Sequence, residues 1–275
     1  MGRNFHVSKY EHLLHEANSE SEAIDRLKSI VSILRKECPW DKIQTHDSLR
    51  RCMIEEAYEA VEAIQKEDYV NLREELGDVL LQVIFHCDLA KDEGHFELKN
   101  VINDECEKMI RRHPHIFSEE EAKTVDKVLE KWENVKSKEH GNTTHTQRLK
   151  DVPKALPALL RSEKVLKKAA DAGFECTDLK VSLDKAVDEF TRLIDSGKID
   201  KAEPAVILKA VGEMIFSMVN VSGIVKVNPE EALNLATDRF IKMFEMLEHI
   251  ANAQGKSVDD LSLTEADVIW REIKE

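Results

Sequence analysis

Five carboxylates in the first third of the chain carry a spacing suited to chemistry. Glu55, Glu56 and Glu59 write E-E-x-x-E in "IEEAYEA", and Glu75 and Asp78 write E-x-x-D in "EELGDVLLQVIF". At ~100° per residue, side chains three apart on a helix lie ~60° from each other. Glu56 with Glu59, and Glu75 with Asp78, therefore make two pairs, each at the margin of its helix's apolar arc. The two segments are joined by a short connection, so they are expected to pack antiparallel and to face the pairs across one cleft. Four carboxylates do not crowd together without a cation. All-oxygen donors suit Mg²⁺, which keeps several waters and also binds substrate phosphates. The chemistry indicated is phosphoryl transfer or hydrolysis on a nucleotide or pyrophosphate. Gly77 lies between the members of the second pair. Glycine inside a helix costs ~1 kcal/mol relative to alanine, which a closely approaching helix or ligand would explain.

The elements that must hold these residues are helical. Ser19 and Glu22 form a capping box for a first helix with Ile24, Leu27, Val31 and Leu34 on one face, ending near Glu37. After the loop "CPWDKIQTHDSL", a second helix is expected from about Ser48 to Lys66, with Ile54, Ala57, Val61 and Ile64 as its core stripe. A third begins near Asp68 and turns Leu72, Leu76, Val79 and Val83 inward. A fourth, about Glu97 to Arg112, is stopped by His113-Pro114. Ser118 and Glu121 cap a fifth with Ala122, Val125, Leu129 and Trp132 inward. The polar stretch "KEHGNTTHTQRLKDVP" has no periodicity and reads as a linker. Helical patterns resume at Pro157–Ala172, Ser182–Ser196, Pro204–Lys226 and Pro229–Ala253, with a last one running to Glu275. The expected organisation is an extension (1–18), a first module (19–138), a linker (139–156) and a second module (157–275).

Bulk properties narrow the function. The 275 residues carry 34% charged and 42% hydrophobic side chains with few Gly, Pro and aromatics, as a folded all-α protein would. A net charge of −14 argues against extended binding to a nucleic-acid backbone. An anionic small molecule would need local bases or metal ions. The five cysteines (38, 52, 87, 106 and 176) form no C-x-x-C and no disulfide framework. No signal-peptide core and no apolar stretch of membrane-spanning length is read in the sequence. A soluble, cytoplasmic protein with no membrane partner is expected.

E-E-x-x-E followed by E-x-x-D, preceded by "CPWDKIQTHDSL" and followed by "RRHPHIF", resembles the MazG family of nucleoside triphosphate pyrophosphohydrolases, in a tandem two-module form covering nearly the whole chain. The resemblance implies an all-α fold of helical bundles that dimerise. It implies hydrolysis of nucleoside triphosphates to monophosphate and pyrophosphate, with Mg²⁺ (Mn²⁺ able to substitute) held by Glu56, Glu59, Glu75 and Asp78. Glu55 is the next candidate, as an outer ligand or base. In the loop, Trp40 stacks on a base or else fills the core, and Lys42, Gln44 and His46 are polar groups able to reach base or phosphate. The resemblance makes Lys108 and Arg112 phosphate contacts; otherwise they are ordinary cations at a helix C-terminus. His86 and Cys87 follow an apolar run and read as core. Trp132 and Trp270 read as packing residues.

The second half echoes the first. "AVGEMIFSMVN" (210–220) repeats the texture of "ELGDVLLQVIF", and "DEFTRLID" that of "EEAYEAVEAI". The echo sets Glu189 and Arg192 opposite Glu56 and Glu59, and Ala210 and Glu213 opposite Glu75 and Asp78. A cation and a methyl group replace two ligands. "ALNLATDRFIKMF" resembles the phosphate-binding helix of the family's second module, with Thr237 where Asn is usual and Met243 where Arg is usual. The first module is therefore expected to do the chemistry and the second to be structural or regulatory. Two other classes compete. A non-catalytic helical scaffold for a nucleotide or protein is opposed by the intact quartet. A di-iron bundle uses Glu-x-x-His pairs, and the positions three after Glu59 and Glu75 are Glu62 and Asp78.

Overall fold

A computed structural model describes residues 9–118, 124–125, 127–128, 144–174, 178–195 and 203–274. Among these residues every regular element is a helix and there is no strand. The chain divides into two compact units, Met1–Glu139 and His140–Glu275.

The first unit contains α1 (Glu20–Glu37), α2 (His46–Gln65), α3 (Tyr69–Asp92), α4 (Leu98–Arg112) and the short α5 (Pro114–Phe117). Side-chain caps set most of the starts. Ser19 accepts from the amide of Glu22 at α1, while the Glu22 carboxylate reaches back one residue further than a capping box would, to the amide of Asn18. Thr45 and Ser48 cap α2 reciprocally, and Asp68 accepts from the amides of Val70 and Asn71 at α3. The core gathers Val31, Leu49, Ile84, Phe85 and Leu89, with Leu27, Cys52, Leu81 and Leu98 packed against it. Arg35 ties α1 to α3 by ion pairs to Asp88 at 2.6 Å and Asp92 at 2.8 Å, its guanidinium lying over the Phe85 ring. A cavity of about 550 Å³ opens between α1, α3 and α4, floored by Ile24, Ile84, Cys87, Leu98 and Ile102. No carboxylate of the E-E-x-x-E or E-x-x-D pattern lines it.

Two expected apolar faces are placed differently. On α2 the stripe Ile54, Ala57, Val61 and Ile64 is exposed, with Val61 47% and Ile64 58% accessible. The residues buried instead are Leu49, Ala60 and Ala63. On α3, Leu76 is 54% exposed, while Leu72, Val79 and Val83 are half-buried as expected. The physical reason is the α2–α3 hairpin. Two helices in close antiparallel contact favour small side chains at the seam, and Ala60 and Ala63 supply them. The larger aliphatic stripe is then turned out. The fifth expected helix, with Glu121, Ala122, Leu129 and Trp132, lies outside the described residues; Val125 is exposed.

The second unit contains α6 (His145–Lys150), α7 (Ala158–Asp171), α8 (Leu179–Asp195), α9 (Pro204–Ile224), α10 (Pro229–Ala253) and α11 (Leu263–Lys274). α6 lies within the stretch 139–156 that reads as a linker. Thr144 caps it by accepting from the amide of Gln147, it packs on α7, and Val152 beyond it is buried. α9 corrects an expectation. Its 21 residues, with Lys209 and Glu213 as the charged ones, are long and apolar enough to cross a membrane by length and composition. It packs along α8, and Asn220 donates to the buried hydroxyl of Ser182 on that helix.

Candidate functional site

The α2–α3 hairpin holds the five carboxylates. One oxygen from each of Glu56, Glu75 and Asp78 lies within 4.8 Å of the other two. Glu59 joins them, its carboxyl in hydrogen-bonding reach of both Glu56 and Glu75. Partial burial raises the pKa of Glu56, and repulsion from Asp78, Glu59 and Glu75 adds to it. Glu75 is raised in the same way, by desolvation first and then by Glu59, Asp78 and Glu74. The cluster thus carries more negative charge than it accommodates unaided, and its donors are all oxygens. Both properties fit a hard divalent cation. Glu55 points away from this group and pairs with Arg51 at 2.6 Å on the exposed side of α2. Gly77 has open space beside it among the described residues, so none of the described helices accounts for it.

The loop before α2 supplies the other expected contacts. Trp40 is 59% exposed, which sets aside its reading as a core residue. Lys42 is exposed on the short 3-10 turn Asp41–Ile43. Gln44 is occupied locally, its amide donating to the carbonyl of Trp40 and its oxygen accepting from Ser48. The loop stands at the N-terminal end of α2, ~15 Å along the axis from Glu56. Lys108 and Arg112 sit in the last turns of α4, and the described partner of Lys108 is Glu105 of its own helix, not the carboxylates.

His46 and His86 form a contact that periodicity did not announce. Their Nδ1 atoms are 2.7 Å apart, their planes 6° apart and their centroids 5.0 Å apart. A five-membered ring with sides of ~1.35 Å puts each nitrogen ~1.15 Å from the centroid. The centroid separation therefore equals the nitrogen–nitrogen distance plus both ring radii. The imidazoles lie edge to edge in one plane, not face to face, joined by an in-line hydrogen bond that one proton occupies. A nitrogen–nitrogen distance of 2.7 Å leaves no room for a metal between them. His46 Nε2 lies 3.9 Å from Glu93. The ring of His46 is thus bonded first to its own scaffold. His86 is half-buried rather than core, its pKa lowered by burial and then by His46, whereas Cys87 is buried as expected.

Gln82 lies within the apolar run of α3. It is 8% exposed, and its Oε1 is shielded from solvent with no hydrogen-bond partner among the described residues. It interrupts "VLLQVIF" four residues after Asp78 and four before His86. A polar residue at that spacing inside an apolar run is the signal that could have singled it out.

In the second unit, Arg192 pairs with Asp188 on its own helix, Ala210 is buried and Glu213 is exposed. Met243 is buried, which explains an apolar residue there, and Thr237 donates to the carbonyl of Leu233.

Clustered carboxylates presented from an antiparallel hairpin, in a unit whose described elements are all helical, define a class of helical folds with an acidic site. Residues 44–117 match the model of the MazG nucleotide pyrophosphohydrolase domain. The nucleoside triphosphate pyrophosphohydrolase of Escherichia coli (strain K12) is 34% identical over 254 residues, 91% of this chain and 97% of that protein. The Thermotoga maritima nucleoside triphosphate pyrophosphohydrolase/pyrophosphatase MazG is 34% identical over 252 residues, 91% of this chain and 95% of that one. Bacillus subtilis YabN is 43% identical over 251 residues, 90% of this chain and 51% of YabN. The chain belongs to the MazG family, a family of hydrolases.

Proposed function

We propose that the chain hydrolyses nucleoside triphosphates between the α and β phosphates, releasing monophosphate and pyrophosphate, and so acts on the nucleotide pool of the cytoplasm. The observation that carries this is the convergence of Glu56, Glu75 and Asp78, with Glu59 acting on Glu56 and Glu75 beside them; their mutual repulsion calls for a cation. These four would hold Mg²⁺, with Mn²⁺ able to substitute. Bound there, the ion supplies a Lewis acid that offsets phosphate charge and lowers the pKa of a coordinated water. Glu55, outside the quartet and paired with Arg51, would serve as an outer ligand or a base. Trp40 stacks on the base, and Lys42 meets base or phosphate. Lys108 and Arg112 receive the departing pyrophosphate. His46 is assigned to the substrate through Nε2 alone, because Nδ1 is engaged with His86.

The reaction belongs to the first module (19–138). The second (157–275) keeps the helical hairpin and lacks the ligand set. The outward stripe of α2 (Ile54, Val61 and Ile64), with Leu76 of α3, supports a homodimer in which these side chains are covered. Sedimentation of the purified chain at twice the monomer mass is the expected result.

The direct test is incubation with Mg²⁺ and a panel of ribo- and deoxynucleoside triphosphates, the products resolved by anion exchange. Monophosphate with pyrophosphate is expected. Diphosphate with orthophosphate would overturn the bond assignment, and no turnover would favour a nucleotide-binding scaffold instead.

A further inference from the structure

Gln82 is a buried polar residue of α3 that the proposed chemistry leaves unused. A buried amide oxygen with no partner opposes folding, so its presence in an apolar run needs a reason. Its place along the helix suggests one. Asp78, Gln82 and His86 are spaced four apart, so successive side chains are ~40° offset and ~6 Å along one line. Both ends of the line meet α2: Asp78 acts on Glu56, and His86 bonds to His46. Gln82 therefore lies on the seam, one turn from the carboxylates, in the direction of the Trp40 loop. A nucleotide with its α phosphate at the carboxylates and its base at Trp40 extends its sugar and base past this residue.

The second unit supplies an independent observation. In the register that sets Glu56 on Glu189 and Asp78 on Glu213, Gln82 falls on Ser217, His86 on Val221 and His46 on Leu179. His46 and Leu179 are each the first residue of their helix. The long amide and both imidazoles are thus missing from the hairpin that also lacks two of the four ligands. This is no general loss of polarity, since Leu49 and Phe85 fall on Ser182 and Asn220, which are hydrogen-bonded to each other. Polar groups needed only for packing have no reason to disappear together with the ligands.

We propose that Gln82 is a specificity-determining residue whose side-chain amide hydrogen-bonds the nucleoside portion of the substrate. This rests on the pyrophosphohydrolase reading above. An amide offers one acceptor and two donors, so it recognises a sugar hydroxyl or a base edge, and the phosphates are left to the cation and the basic residues.

The test uses the full chain, Gln82→Met, which keeps the length and removes the amide, and Gln82→Glu, which keeps the acceptor and removes the donors. Kinetics are measured on the ribo- and deoxynucleoside triphosphate panel, with inhibition by pyrophosphate and by each nucleoside monophosphate. Gln82→Met is expected to raise KM about tenfold for the best substrate, with kcat within about threefold, the equivalent of one hydrogen bond to a neutral partner. Inhibition by monophosphate weakens in step, and inhibition by pyrophosphate, which has no nucleoside, stays unchanged. Collapse of the ribo-to-deoxy ratio assigns the contact to the sugar; collapse of the base order assigns it to the base. The thermal midpoint stays level or rises, because an unpartnered buried amide has been removed. If Gln82→Met lowers the midpoint and fails to fold, Gln82→Glu carries the same readouts. Substrate order and monophosphate inhibition unchanged in a folded variant would overturn the proposal while leaving the reaction intact. A wild-type protein that releases no pyrophosphate from any nucleotide would overturn the parent reading instead.

Discussion

The α2–α3 hairpin of the first unit and the α8–α9 hairpin of the second are built alike and charged differently. Each is a pair of long antiparallel helices in extensive contact, with a glycine, Gly77 or Gly212, at the same point of the second helix. In the first, Glu56, Glu59, Glu75 and Asp78 gather with no basic partner within the group, and their repulsion is left standing. In the second, Arg192 is paired to Asp188 and Ala210 is buried. The core differs in the reverse sense, since the second hairpin carries a hydrogen-bonded Ser182–Asn220 pair where the first has Leu49 and Phe85. The comparison teaches that the helical frame does not need the carboxylates. They add electrostatic stress to the first unit, and a fold without that stress exists in the same chain. A feature that opposes stability and is dispensable for folding is best explained by what it binds.

The largest effect expected to sharpen this contrast is in turnover. Glu59→Ala or Asp78→Ala should lower pyrophosphate release by at least ~100-fold, since even groups that only support a ligand cost 10–100-fold when lost. Circular dichroism should show the helices intact. Glu213→Ala in the second unit should leave turnover within about twofold. Equal losses in both units would break the comparison.

A gain-of-site experiment comes next. Arg192→Glu with Ala210→Glu restores four acidic positions to the second hairpin. Calorimetric titration with Mn²⁺ should then show one more class of site than the wild type. An unchanged stoichiometry would mean that the frame, and not only the ligands, differs.

A smaller effect follows from the raised carboxylates. A folded-state pKa above the unfolded value means that the folded protein binds more protons, so stability is greatest at low pH. It is lost as pH climbs from the ordinary carboxylate range, ~4.3, through the raised values of Glu56 and Glu75. The midpoint of metal-stripped wild type should therefore fall over this window relative to Glu75→Gln, and Mg²⁺ should close the gap. A gap that is flat with pH would remove repulsion as the cause.

The smallest expected effect concerns His86, whose pKa is lowered. The folded state then resists protonation, so its contribution is present above the unfolded value, ~6.5, and is lost as pH falls toward the depressed folded value. Plotted against pH, the midpoint of His86→Phe should descend less steeply below ~6.5 than that of the wild type. Parallel curves would show that the His46–His86 bond tolerates a second proton.

Much of this protein is determined by local sequence. Ser19, Thr45 and Asp68 start their helices where capping chemistry places them, because a cap acts on amides two or three residues away. The three-residue spacing within each carboxylate pair is likewise a property of one helix. Tertiary structure decided which face of each helix meets a neighbour. Periodicity on α2 marks Ile54, Val61 and Ile64 as an apolar arc, yet Leu49, Ala60 and Ala63 are the residues buried, because close helix contact rewards small side chains and not total hydrophobicity. The His46–His86 bond joins residues 40 apart and depends on the hairpin's register. Gln82 stands out in the sequence only as a polar residue in an apolar run, and it becomes an orphaned amide once α3 is packed. Distances along one helix are set by covalent geometry and are legible in the chain. Distances between helices are set by how side chains fill the seam, and that is a property of the fold.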